Sequence, residues 1–332
     1  MVELVCGPMA TLSHQAFRML VEGFGGCDCY FTEMINAASL LNLGPFEKFY
    51  LLDAPVPEKI VWQLTGNKVE PMVKAASLLA HKNGLGVDLN MGCSAPQIYK
   101  TGAGIAWMLK PLSETLELVR GIKSALDDAE KECGVHKRLS VKCRLGADDF
   151  TDKSFFDFVD MLFSEGVEAL TLHPRTLKER LIGKPRYAYA EEVAVRYPNV
   201  AVYVNGEICD CASADFAMEK VPHAKGLMVA RAAAQKPWIF RELKSALSGE
   251  KKDGIKIDRK KVALDFVNYI EDFQPPEFYK TRIQRFFSYY CDNFSFGHYF
   301  KTQILNYHSL DETRKKIEEY FDKVPDDREV LI

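Results

Sequence analysis

No run of uncharged apolar residues in the 332-residue chain approaches the roughly 18 that a membrane-crossing helix needs, so no membrane span is expected. The opening, MVELVCGPMA, lacks a basic segment followed by a long apolar one, and no secretory leader is expected either. Paired C-x2-C motifs are missing. The nine cysteines are scattered, apart from the C-x-C pairs Cys27/Cys29 and Cys209/Cys211. That argues against a bound metal and for reduced thiols in a cytoplasmic protein. A formal net charge of −3 is too small an excess to point towards or away from nucleic acid. No G-x-G-x-x-G follows the first apolar run, which counts against a Rossmann domain. No internal repeat or low-complexity stretch stands out.

What is present is an ordinary globular composition, 47% hydrophobic and 27% charged, in a chain long enough for a full core and a second domain. Short β-rich runs alternate with helical patterns eight times. The strands are expected near Glu3–Cys6, Tyr30–Thr32, Ile60–Leu64, Gly86–Leu89, Leu139–Arg144, Ala169–His173, Ala201–Val204 and Gly226–Val229. Most are unbroken apolar runs, as parallel strands buried on both faces should be. Between them, Ser13 is placed to cap a helix carrying Phe17, Leu20 and Val21. Pro71 suits the first turn of a helix through Val73, Ala76, Leu78 and Leu79. Eight such units within about 250 residues predict an α/β fold, a (β/α)8 TIM barrel over residues 1–248, with a doubly wound sheet as the alternative. A charged linker over 249–257 then leads to a C-terminal all-α helical domain over 258–332. About four helices are expected there, the last opened by a capping box at Ser309–Glu312.

In a parallel barrel, chemistry is done where the strands end. Those positions hold Pro8, Met9 and Ala10; Thr32, Glu33 and Met34; Gln63; Asn90 and Cys93; Lys142 and Arg144; His173 and Arg175; Asn205, Gly206 and Glu207; and Ala230 and Arg231. A purely structural barrel has no need of so many polar groups on one rim, since burying each one unpaired costs roughly 1–3 kcal/mol. Cys93 is the leading candidate for a reactive group, because it follows a buried-type strand directly in a Gly-Cys turn. Lys142 lies within an apolar strand, where an unpaired lysine is costly. Basic residues gather at 175–187, 251–261 and 280–301, as phosphate-facing patches or as solvated helix faces.

The segments CGPMA, YFTEM, QLTG, LNMGC with the following GAG, VKCRLG, LHPRT, VNGEI, and LMVAR followed by KPW span residues 4 to 238. In this order and spacing the chain resembles the FMN-dependent tRNA-dihydrouridine synthase family. The helical tail, with Arg285, Tyr289 and Phe294, resembles that family's C-terminal domain. The resemblance implies FMN over the barrel mouth, with Pro8, Met9 and Ala10 against its ring. It implies Gln63 and Lys142 on the ring's polar edge, and His173 at the flavin edge or facing the substrate base. Asn205, Gly206, Glu207, Ala230 and Arg231 would hold the phosphate. It further implies reduction of the C5=C6 bond of a uridine in tRNA, with hydride from the reduced flavin to C6 and a proton from Cys93 to C5. NADPH would be the reductant, with NADH as the other candidate donor. Asn90, Arg144 and Arg175 would face the substrate base, and the loop 178–186 and the helical tail would grip the RNA. No obligate protein partner is evident.

An ordinary thiol titrates near pH 8.5, so a proton-donating cysteine needs no activating base. Four positions depart from the family pattern: Ser94 follows the cysteine where proline is common, Gln97 replaces a lysine, Pro174 stands inside LHPRT, and Ala230 replaces a glycine before Arg231. Neither Pro174 nor Ala230 deletes a side chain the chemistry needs, and the two cysteine-loop changes bear on substrate preference more than on activity. Two rival readings are a dihydroorotate dehydrogenase-like flavin enzyme acting on a free pyrimidine, and an RNA-binding protein whose catalysis has lapsed. Salt-sensitive tRNA binding separates the first from the family reading, and flavin turnover separates the second.

Overall fold

Eight parallel strands close into a ring. In the computed structural model, which describes residues 2–249, 254–306 and 308–332, they are β1 (Glu3–Cys6), β2 (Cys29–Phe31), β3 (Ile60–Thr65), β4 (Gly86–Met91), β5 (Arg138–Cys143), β6 (Ala169–Leu172), β7 (Ala201–Asn205) and β8 (Gly226–Val229). Each pairs with its sequence neighbour, and β1 pairs with β8 through Glu3↔Gly226 to Cys6↔Val229, which shuts the barrel. The α/β barrel predicted from the apolar runs is therefore the fold, and the doubly wound alternative is excluded. The expected ends are off by one or two residues. Asn90 and Met91 still belong to β4, whereas Arg144 and His173 lie just beyond β5 and β6.

Successive strand residues point to opposite faces, and that alternation sorts the chemistry. Leu4, Cys6, Val87, Leu89, Val141, Leu170 and Leu172 join the core shared with the surrounding helices. Val5, Cys29, Phe31, Val61, Ala169, Tyr203 and Met228 form a separate cluster on the other face, which fills the barrel. Each such aliphatic or aromatic side chain contributes about 1.5–3 kcal/mol on burial. Gln63, Asp88, Asn90, Ser140, Lys142, Thr171, His173 and Asn205 share the parity of the interior set. The register stacks them in layers: Gln63↔Asp88↔Ser140, and above that Asn90↔Lys142↔Thr171. The apolar filling thus gives way to polar side chains towards the end where the strands finish.

The tail packs onto this barrel. Helix Gln15–Glu22 lies against helix Arg259–Phe273, and the His14 ring sits 6.1 Å from that of Phe266. Phe266 stacks on Phe286, which stacks on Tyr290, with ring centroids 3.9 and 4.9 Å apart. Three further helices follow, Pro276–Tyr290, Gly297–Leu305 and Leu310–Lys323. The helix-only reading of this region needs one correction. Lys256–Asp258 pairs antiparallel with Glu329–Leu331, joining the two ends of the tail. Part of the segment read as linker is therefore strand, and residues 250–253 of it lie outside the described residues.

Two helix starts also differ from expectation. His14, not Ser13, caps the first helix, its Nδ1 accepting from the N–H of Phe17. Ser13 Oγ instead accepts from Met9 N at 2.8 Å and donates to Gly7 O at 3.0 Å, so it braces the loop after β1. Before the last helix, Ser309 Oγ accepts from Glu312 N, but the Glu312 carboxylate accepts from His308 N rather than closing on Ser309.

Candidate active site at the barrel rim

Cys93 is partly exposed, whereas Cys6, Cys29 and Cys143 of the strands are buried. Its backbone is pinned on two sides. Asn90 Oδ1 accepts from Cys93 N at 2.9 Å and from Gly92 N at 3.3 Å, and Cys93 O accepts from Ile105 N at 3.2 Å. Gly104 has φ +60, and a Cβ there would lie 2.7 Å from Cys93 O and 3.0 Å from Cys93 Cβ. The GAG turn is therefore the wall against which the cysteine loop closes. Arg144 Nε donates to Gly92 O at 3.1 Å from the other side.

Lys142 rises from the interior face of β5 beside this loop. Its ammonium donates to Asn205 Oδ1 at 3.1 Å, and Asn205 Nδ2 donates to Met228 O at 2.9 Å. Burial and the neighbouring Arg144 push the lysine down to about 8, against the opposing pull of Asp88. A lysine whose hydrogen-bond partner is a neutral amide is short of negative charge. Asn205 is thus a brace for Lys142, where phosphate contact was expected of its side chain.

His173 is buried and neutral. Burial first, then Lys142, Arg144, Arg175 and Arg231, push its imidazole down to about 2. Its Nε2 lies 2.9 Å from Arg175 Nη1. Arginine can only donate, so Nε2 accepts and Nδ1 carries the proton. Gly206, at φ +121, leaves room for this ring, since a Cβ there would approach His173 Cδ2 to 3.0 Å. Tyr187 Oη donates to Gly206 O, which holds the turn.

Four of the expected site residues, Arg175, Glu207, Arg144 and Gln63, have side chains engaged by the protein itself. Arg175 is fully enclosed, its donors directed to Gly183 O, His173 and the Glu207 carboxylate, so it organises the rim. Glu207 is correspondingly engaged through one carboxylate oxygen, and its backbone is left-handed at φ +56. Arg144 has Nη1 on Thr176 O and Arg180 O as well as Nε on Gly92 O, so it locks the cysteine loop to the loop after β6. Gln63 is also enclosed, donating to Asp88 Oδ2 at 2.8 Å and accepting from Asn90 Nδ2 at 2.9 Å. It acts on the rim through Asn90. Met9 is 8% exposed, while Pro8 and Ala10 are more open, and the last two residues of the set, Ala230 and Arg231, begin a short helix after β8.

Sequence reasoning passed over Asp88, whose signal was a carboxylate inside an otherwise apolar strand, and set aside Glu33. The latter bonds Thr11 N with one oxygen and Arg282 Nη1 with the other. The basic patches also divide. Arg259, Lys260, Lys261 and Arg282 are engaged with carbonyls or carboxylates of the protein, and residues 251–253 lie outside the described residues. Arg180 and Lys184 in the loop after β6 are exposed. Phe286, Phe287 and Tyr290 are fully buried, and Tyr289 is partly so.

A rim with a neutral histidine, a charge-deficient lysine and an exposed Arg231 suits an anionic, electron-rich ligand such as a flavin nucleotide. Among known proteins, the chain is 28% identical over 323 residues to a probable tRNA-dihydrouridine synthase of Aquifex aeolicus, covering 96% of this chain and 95% of that one. It is 30% identical over 247 residues to a probable tRNA-dihydrouridine synthase of Helicobacter pylori, covering 73% and 70%. A mouse protein named tRNA-dihydrouridine(47) synthase [NAD(P)(+)]-like is 29% identical over 272 residues, and the match spans 80% of this chain but 39% of the mouse one. The dihydrouridine synthase (Dus) family model matches residues 4–325, and the chain belongs to that family.

Proposed function

We propose that the chain reduces uridines in tRNA to 5,6-dihydrouridine, using FMN and a reduced nicotinamide cofactor, NADPH in the first instance. The observation that carries this reading is the fixed, partly exposed Cys93 beside Lys142 on one barrel rim. Bound there, FMN would supply the hydride that reaches C6 of the uracil ring. Pro8, Met9 and Ala10 would lie against its ring, and Lys142, held by Asn205, would stand at its electron-rich edge. Gly206, Glu207 and Ala230 would offer backbone, and Arg231 its guanidinium, to the phosphate.

The protein's own chemistry is proton delivery. Cys93 gives its thiol hydrogen to C5, forming a C–H bond and leaving a thiolate that recovers a proton from solvent. Asn90 and Gly104 hold the loop that aims it, and His173 offers Nδ1–H to the base or the cofactor. The base leaves its stack to reach this rim. Arg180 and Lys184 would then meet the RNA backbone at the mouth.

The test is direct. The purified protein should be yellow, bleach with NADPH and regain its colour on adding unmodified tRNA. Bleaching that is reversed equally well by a free pyrimidine would favour the small-molecule enzyme instead. A protein that binds tRNA without taking up flavin would leave only the lapsed enzyme.

A further inference from the structure

Asp88 lies at the middle of β4, fully buried and facing the barrel interior, where the proposed chemistry has no use for a carboxylate. Its Oδ1 accepts from Ser140 Oγ at 2.8 Å and its Oδ2 from Gln63 Nε2 at 2.8 Å. Gln63 Oε1 then accepts from Asn90 Nδ2 at 2.9 Å, and Asn90 Oδ1 accepts from Cys93 N at 2.9 Å. We propose that Asp88 is a positioning residue that sets the direction of the Gln63 and Asn90 amides and so the seat of Cys93. The proposal deepens the reading of Cys93 as the proton donor and rests on it.

Donor and acceptor polarity gives this chain of bonds its direction. An ionised carboxylate only accepts, so Gln63 must turn its NH2 towards Asp88 and its oxygen towards Asn90. Asn90 must then turn its own NH2 to Gln63, which leaves its oxygen for the Cys93 N–H. That N–H can only donate. The chain has an obligate acceptor at one end and an obligate donor at the other, and two ambivalent amides between them. Without the carboxylate the direction is held from the Cys93 end alone, and Gln63 loses the obligate acceptor that keeps its oxygen on Asn90; a flipped Asn90 would set NH2 against N–H at Cys93. Burial raises the Asp88 carboxyl, and the bonds from Gln63 and Ser140 with the charges of Lys142 and Arg138 on β5 limit the rise to about 6. The carboxylate is therefore ionised near neutral pH and the chain keeps one direction.

Two variants of nearly unchanged shape test this in the flavin-loaded protein. Asp88→Asn leaves the volume but replaces the obligate acceptor with an ambivalent amide, so the direction is fixed from the Cys93 end only. Asp88→Asn with Gln63→Glu moves the obligate acceptor one step along and restores the original direction at Asn90. We expect Asp88→Asn to lower dihydrouridine turnover by at least about tenfold without lowering the melting temperature, and the double variant to regain most of that loss. Alkylation of Cys93 by iodoacetamide, counted by peptide mass spectrometry, is the readout that does not need turnover. It should change in Asp88→Asn and return in the double variant. Alkylation that follows this pattern in a protein without dihydrouridine activity would support the seat and overturn only the role of Cys93. An unchanged Asp88→Asn, or a double variant no better than the single one, would overturn the proposal.

Discussion

Glu33 and Arg282 are 249 residues apart in sequence and form a buried ion pair, Oε2 to Nη1 at 2.6 Å. The other Glu33 oxygen accepts from the N–H of Thr11, held at φ +62 just after Pro8, Met9 and Ala10. One carboxylate thus ties the helical tail to the loop proposed to lie against the flavin ring. The Arg282 guanidinium also lies 4.7 Å from the ring centroid of Phe278. Removing one member of a buried pair leaves the other charge unpaired. Arg282→Met should therefore destabilise the protein by about 3–5 kcal/mol in urea unfolding, and adding Glu33→Gln should recover part of the loss. A single variant as stable as the wild type would show that the pair does not hold the tail.

Lys142 gives a pH dependence whose sign can be worked out. Its folded value is depressed to about 8 from an ordinary 10.5, so between those pH values the unfolded chain binds more protons at this site. The lysine's contribution to stability is therefore poorest below pH 8 and improves as the pH rises towards 10.5. Lys142→Met should make the flavin-free protein more stable at pH 7, by about 1–2 kcal/mol, while weakening flavin binding about tenfold. In the wild type, flavin affinity should fall as the pH passes about 8, and the variant should lack that break. Fluorescence titration across pH 6–9.5 reads both. Equal affinities in the two proteins would remove Lys142 from the cofactor site.

How much of this was open to sequence reasoning followed from range. The strands were legible because a parallel strand buried on both faces is an apolar run, and the polar residue that ends each run marks the rim. Cys93, Lys142 and His173 are at that rim for this reason. The fate of Arg144 and Arg175 was not legible, because their partners are carbonyls of loops that return from 176 to 183 only after folding. The Glu33–Arg282 contact joins segments with no local signal linking them. Strands of three residues, such as Lys256–Asp258 and Glu329–Leu331, are too short to show a period. Asp88 is a different case. Its carboxylate stood visibly in an apolar strand, and the rule that a buried carboxylate must be bonded would have pointed to a network beneath Cys93.

The exposed loop after β6 carries the RNA prediction. Arg180 and Lys184 stand in solvent at the mouth, next to the exposed Leu181 and Ile182. Arg180→Glu with Lys184→Glu should weaken tRNA binding and flatten its salt dependence, the slope of log affinity against log salt dropping by about 1–2. Flavin content should not change. A slope equal to that of the wild type would move the RNA-binding surface elsewhere, towards the tail.

The central claim is that the Cys93 thiol delivers the proton to C5, and a single turnover tests it most directly. NADPH-reduced Cys93→Ala is mixed with unmodified tRNA, and dihydrouridine is counted by nucleoside mass spectrometry. With flavin and tRNA bound as in the wild type, the rate should fall by about a hundredfold or more, the lower end of what a lost general acid costs. Dihydrouridine formed at the wild-type rate would mean that another group supplies the proton, and the assignment of Cys93 would be wrong.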